Sequence, residues 1–119
     1  MTGTHALLVA LGAGLGAPSR MLVGQWVRER LGRDAPVGTL TVNVLGSLVL
    51  GALVGGGAGP GWAAFVGTGF CGAFTTFSSL ALEIWEAGED GRPRDAVRVT
   101  VLSLVLGVGA ATLGYVLAR

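Results

Sequence analysis

Four stretches of this chain are almost free of charge, and each is about long enough to cross a membrane. They run roughly over residues 6–26, 37–57, 62–85 and 96–117. About 20 apolar residues, rising 1.5 Å each, span the ~30 Å of hydrocarbon in a bilayer. A segment in lipid must satisfy its backbone internally, so each stretch reads as a transmembrane helix. The connections are too short to hold a soluble domain. The expected fold is therefore an all-α membrane protein, a single transmembrane domain over 1–119. Only 13% of residues are charged, about half the share of a soluble domain. The first stretch lacks the basic start of a secretory signal, and Arg28, Glu29 and Arg30 follow it in place of a small-residue cleavage site.

The arginines are distributed unevenly. Arg28, Arg30 and Arg33 lie between the first and second stretches, and Arg92, Arg94 and Arg98 between the third and fourth. The opposite side carries only Arg119 and the chain amine. Cytoplasmic loops are enriched in Lys and Arg, and acids count little in this rule. The bias predicts both charged loops in the cytoplasm, both termini outside, and a multi-pass protein of the cell membrane. A single cysteine, Cys71, excludes an intrachain disulfide or a cysteine metal cluster, and one histidine, His5, cannot build a metal site. No hydrolase triad, phosphate loop or metal-ligand cluster is visible, and nothing points to nucleic acid.

Glycine supplies 22 residues, and its spacing predicts how the helices pack. Gly12, Gly16 and Gly24 recur with Arg20 every four residues in the first helix. Ser47, Gly51 and Gly55 do so in the second, and Gly107 and Ala111 in the fourth, with Gly114 nearby. Lipid is as apolar as leucine, so helices associate through such smooth faces and through polar contacts. Four slender helices leave little interior. A lined pore would form between subunits, with a dimer as the simplest closed assembly.

The polar residues within the spans are few. Arg20 lies inside the first, where a charge costs roughly 2.5–3.5 kcal/mol on insertion scales. It either snorkels to the interface or pairs with helix-end carbonyls or Glu83. Thr39, Asn43 and Ser47, four apart, share one face of the second helix. An amide there needs partners, as glue between helices or as a donor to a passing anion; Ser103 on the fourth helix has the same two readings. Glu83 is the one acid placed within a span, near the end of the third. A proton-driven exporter would carry its carboxylate nearer mid-helix.

The third span is the least helical of the four. In "GFCGAFTTFSSLALE", residues 69–83, Gly, Thr and Ser crowd the middle. Non-helical backbone at membrane depth persists only where protein or a cavity replaces the lost partners. The expected geometry is helix, break, helix, with the break near 72–76. Gly69 and Gly72 would supply unusual dihedrals, and Thr75 and Thr76 would cap the restart. Freed carbonyls at the break could ligate a cation. Phe74 and Phe77, three apart, are expected to face the same way, as core packing or as flanks of that site.

"GTLTVNVLGS", "GFCGAFTTFSSLALE" and the upstream "GAGLGAPSR" together resemble the Fluc (CrcB) family of fluoride channels, and the resemblance covers essentially the whole chain. It implies an antiparallel, dual-topology dimer with two narrow pores that lower cytoplasmic fluoride by passive export. It also implies a structural Na⁺ at the dimer centre, held by the backbone carbonyls of Gly72 and Thr75. Asn43, Phe77 and Ser103 would line the pore, with Thr39 on the same face. Fluoride holds water tightly, so a selective pore must offer donors in its place, including the positive edge of an aromatic ring.

Two features depart from the family pattern. Where a second phenylalanine stands three residues after the first, this chain has Leu80, which lacks a polar ring edge. Gly107 stands one turn beyond Ser103, where another serine is frequent. The lopsided arginines also fit poorly with a homodimer whose copies insert in opposite senses. An alternative is a subunit of fixed orientation, paired with an oppositely oriented related chain as a structural or non-conducting partner. A small dual-topology drug exporter is the least supported reading.

Overall fold

A computed structural model describes residues 3–31 and 37–119. Every element among them is helical: α1 (Gly3–Leu31), α2 (Val37–Gly55), α3 (60–74), α4 (Phe77–Glu89) and α5 (Pro93–Ala118). Four segments are long and apolar enough to span a membrane: Gly3–Leu31, Gly38–Gly55, Pro60–Glu89 and Pro93–Ala118. The third of these contains both α3 and α4. The longest dimension is 47 Å, enough to cross hydrocarbon and headgroups. Arg33, one of the arginines in the charge bias, lies outside the described residues.

Two loops use the same device to end one helix and begin the next. Gly57 and Gly91 adopt φ of 68° and 74°, a left-handed conformation that glycine enters without a Cβ penalty. Each helix closes with a bond that reaches five residues back, Ala58 N–H to the Leu53 carbonyl at 3.2 Å and Arg92 N–H to that of Ala87 at 2.8 Å. Pro60 and Pro93 then start the following helices, where a missing N–H costs nothing. The second loop also carries the ion pairs Arg92–Asp90 and Arg92–Asp95, 3.2 and 3.5 Å apart.

The bundle consists of two closely packed pairs, α1 against α3 and α2 against α5, joined where α1 meets α2. The glycine faces make these contacts. A Cβ at Gly12 would strike the Phe65 carbonyl, and one at Gly16 would strike that of Phe70. Along the other pair, Gly51 lies against the Ala111 carbonyl and Gly55 against that of Tyr115. These are backbone-to-backbone approaches that no side chain could yield to. Gly107 follows the same register, since a Cβ there would sit 3.8 Å from the Ser47 hydroxyl. Gly51, Gly55 and Gly107 each meet a residue sixty positions away, so α2 and α5 run parallel in constant register.

The first half of the third span is not an ordinary helix. Between the short α-turns Pro60–Trp62 and Gly72–Phe74, the stretch Ala63–Cys71 is π-helical. At its end the Gly72 N–H reaches five residues back to the Gly67 carbonyl. Nothing in the residue pattern of this stretch marks the wider coil. It accompanies very close packing, for a Cβ at Gly69 would lie 2.6 Å from the Val9 carbonyl of α1.

Candidate functional site

The helix ends at Phe74 and restarts at Phe77, and the residues between are extended. Thr75 has φ −84°, ψ 159° and Thr76 φ −147°, ψ 119°. The break therefore falls within the expected 72–76, but threonines make it. Gly72 has ordinary helical angles, φ −60° and ψ −38°, and among the described residues only Gly57 and Gly91 take positive φ. The glycines of the third span serve close packing and open space. Gly69 lies against α1, while nothing stands within 4 Å of where a Cβ at Gly72 would be.

Three side chains hold the break. Thr75 Oγ1 donates to the Cys71 carbonyl at 2.9 Å, closing the upper helix. Thr76 Oγ1 accepts from the Ser79 N–H at 3.2 Å, capping α4. Asn43 reaches across from α2 and grips the Thr76 backbone at both ends. Its Oδ1 accepts the Thr76 N–H at 2.8 Å, and its Nδ2 donates to the Thr76 carbonyl at 3.1 Å. The second Nδ2 hydrogen has no acceptor among the described residues. The amide thus acts as glue without exhausting its donors.

This diversion frees carbonyls. In an unbroken helix the Thr76 N–H would bond to the Gly72 carbonyl and the Ser79 N–H to the Thr75 carbonyl. Both N–H groups are instead held by side chains. The two oxygens expected to ligate a cation are thus among those the break releases from helical pairing. Neutral carbonyl oxygens are suitable ligands for a hard cation.

The two phenylalanines do not face the same way. Phe74 is buried and stacks on Phe70 with ring centroids 5.4 Å apart, whereas Phe77 is 82% exposed. Spacing of three aligns residues only along a continuous helix, and the two extended threonines reset the phase. Phe77 and Leu80 line a cavity of about 320 Å³ together with Asn43, Ser47, Gly72 and Thr75. Cys71 is buried in the wall of the same cavity.

The remaining predicted residues lie close by. Extending the sixty-residue register places Ser103 on α5 at the level of Asn43. Its Oγ is buried and has no hydrogen-bond partner among the described residues. Thr39, one turn before Asn43, donates to Glu83 Oε1 at 2.6 Å, and Glu83 Oε2 is buried without a partner among the described residues. Glu83 therefore faces Thr39 and not Arg20. Arg20 is half-buried, makes no ion pair among the described residues, and lines a second cavity of about 570 Å³ with Thr39 and Thr76. Thr76 borders both cavities.

The family described as "CrcB-like protein, Camphor Resistance (CrcB)" matches residues 7–115. Among similar proteins, the fluoride-specific ion channel FluC 2 of Mycobacterium tuberculosis (strain ATCC 25618 / H37Rv) is 43% identical over 100% of this chain and 99% of its own length. The fluoride-specific ion channel FluC of Erythrobacter litoralis is 41% identical, covering 95% of this chain and 90% of its own. FluC 1 of Geobacillus kaustophilus, bearing the same description, is 45% identical, with coverages of 95% and 97%.

Proposed function

The chain belongs to the CrcB family, and from that premise we propose that it is a subunit of a fluoride-selective channel that lowers cytoplasmic fluoride by passive export. The observation that carries this reading is the free donor on Asn43. The amide is fixed at both ends to the break, so its remaining hydrogen is aimed without further ordering, beside Phe77 and Leu80 in one cavity. A fixed donor can replace part of an anion's hydration at little cost in reorganisation.

In this reading the anion moves along the face shared by α2, α4 and α5. Asn43 Nδ2 donates to it, the exposed edge of the Phe77 ring presents the positive part of its quadrupole, and the Ser103 hydroxyl donates from α5. Thr39, whose hydrogen is committed to Glu83, marks one end of the path. None of these groups is a cation. Several weak sites let the ion leave as readily as it enters, as conduction requires. The membrane potential drives export.

A dimer completes the path. Gly72, Phe77, Ser78 and Ser79 are exposed around the break, yet hydroxyls and unpaired carbonyls are poorly suited to lipid. A second chain in the opposite sense covers this face, and Na⁺ is held by the carbonyls of Gly72 and Thr75 from each chain. When bound, the ion offsets the carbonyl dipoles the break exposes. In the copy that follows the arginine bias both termini lie outside the cell membrane, and in its antiparallel partner both lie inside.

A second reading has its own support. Leu80 occupies the cavity wall beside Asn43 and Phe77, where an aliphatic side chain offers an anion nothing. Together with the biased arginines, this favours a fixed-orientation subunit that scaffolds an oppositely oriented, related partner. Fluoride efflux from liposomes holding the purified chain alone, with chloride as control, separates the two readings. Fast, selective release identifies a working homodimer, and a folded but silent protein points to the heterodimer. If chloride passes as readily as fluoride, the fluoride reading fails.

A further inference from the structure

We propose that the cavity between α1, α2 and the start of α4 binds a phosphate group through Arg20 and Arg28. The cavity holds about 570 Å³, many times the ~30 Å³ that a water molecule occupies in the liquid. The space leaves room for a polyatomic ion. The two arginines lie eight residues apart on α1 with Gly24 between them, and all three line the cavity. A Cβ added to Gly24 would lie 3.6 Å from Arg28 Nη1. The missing side chain lets the Arg28 guanidinium fold back over the helix, on the side from which Arg20 projects.

Neither arginine forms an ion pair among the described residues. Thr39, Ser78 and Ser79 line the same space; the Thr39 hydroxyl is spent on Glu83, which leaves the two serines as the hydroxyl residues facing a ligand. Two like charges lining one cavity favour an anion within it. A planar guanidinium matches a tetrahedral oxyanion with two parallel donors, a geometry a monatomic ion cannot return. Trp26 is exposed near the end of α1 with Arg30 over its ring at 5.6 Å, the position of an interfacial aromatic. The cavity mouth therefore lies near headgroup level, where the phosphate can come from an anionic lipid or from solution. Binding does not depend on the channel reading. Its consequence does: a bound anion beside Thr39 slows fluoride from that side.

The test uses the purified full-length chain as wild type, Arg28→Ala and Arg94→Ala, an exposed arginine in the first turn of α5 outside the cavity. One arm measures retention of phosphatidylglycerol against phosphatidylcholine by native mass spectrometry. The other measures the rise in melting temperature with inorganic phosphate against chloride at equal ionic strength. Removing a charge-assisted pair is expected to weaken binding by roughly tenfold or more. Loss of phosphatidylglycerol in Arg28→Ala but not Arg94→Ala identifies a headgroup site; selective loss of the phosphate response identifies a free-ion site. Equal behaviour of all three proteins in both arms, or equal losses in both variants, overturns the proposal. Fluoride flux enters neither readout.

Discussion

The side-chain amide of Asn43 bonds both backbone groups of Thr76, accepting its N–H at 2.8 Å and donating to its carbonyl at 3.1 Å. One residue of α2 thereby supplies to the break what a neighbouring helical turn supplies elsewhere. In the proposed channel, the bonds that hold the break also point the amide's spare hydrogen.

Asn43→Ala is expected to leave a buried N–H and carbonyl without partners. Each such loss costs about 1–3 kcal/mol, so melting in detergent should fall clearly below wild type. Asn43→Asp keeps the acceptor, loses the donor and adds a negative charge. It should retain more stability than a double loss implies, yet abolish fluoride flux. A stable, fully conducting Asp variant would remove Asn43 from the ion path.

Leu80→Phe places a ring edge on the cavity wall that Phe77 and Asn43 share. If the side-chain lining limits conduction, flux from liposomes holding this chain alone should rise severalfold. If the chain serves only as a scaffold, flux stays at baseline until a related partner is added.

Gly12→Val and Gly51→Val test the two packed helix pairs. The new side chains would meet the carbonyls of Phe65 and Ala111, backbone atoms that cannot rotate aside. Overpacking costs about 1–3 kcal/mol. Gly14→Val, with nothing within 4 Å of its added Cβ, should be near neutral. Equal melting temperatures for all three variants would contradict the packing described.

Replacing Na⁺ with a large organic cation should lower both fluoride flux and the dimer fraction, with recovery on adding Na⁺ back. The carbonyls of Gly72 and Thr75 belong to the backbone, so side-chain substitution cannot remove them. Indifference of flux and assembly to sodium would exclude the proposed site.

Under the fixed-orientation reading, tag accessibility at the C-terminus should report a single orientation, outside. Neutralising Arg92, Arg94 and Arg98 together should mix the orientations, since the count of basic residues near span ends sets the preference. A wild-type population divided evenly between the two would dispose of the fixed-orientation reading.

The sequence by itself determined much of this protein. Uncharged stretches of membrane length require helices because lipid offers the backbone no alternative partner. The "GFCGAFTTFSSLALE" segment located the break, and Asn43 stood out as an amide that must find partners. The small-residue spacing correctly marked Gly12, Gly16, Gly51 and Gly55 as contact positions, since they recur at helical period. Tertiary structure decided what depends on phase and on neighbours. Phe74 turned inward and Phe77 outward because extended Thr75 and Thr76 interrupt the periodicity on which spacing arguments rest. The π-helical coil over Ala63–Cys71 has no residue signature and comes with the close approach of α1. The level of Ser103 against Asn43 follows from a register that α2 and α5 share only once packed. Glu83 faces Thr39 for a similar reason. A sequence records which groups need partners, and the folded chain decides which partner comes within reach.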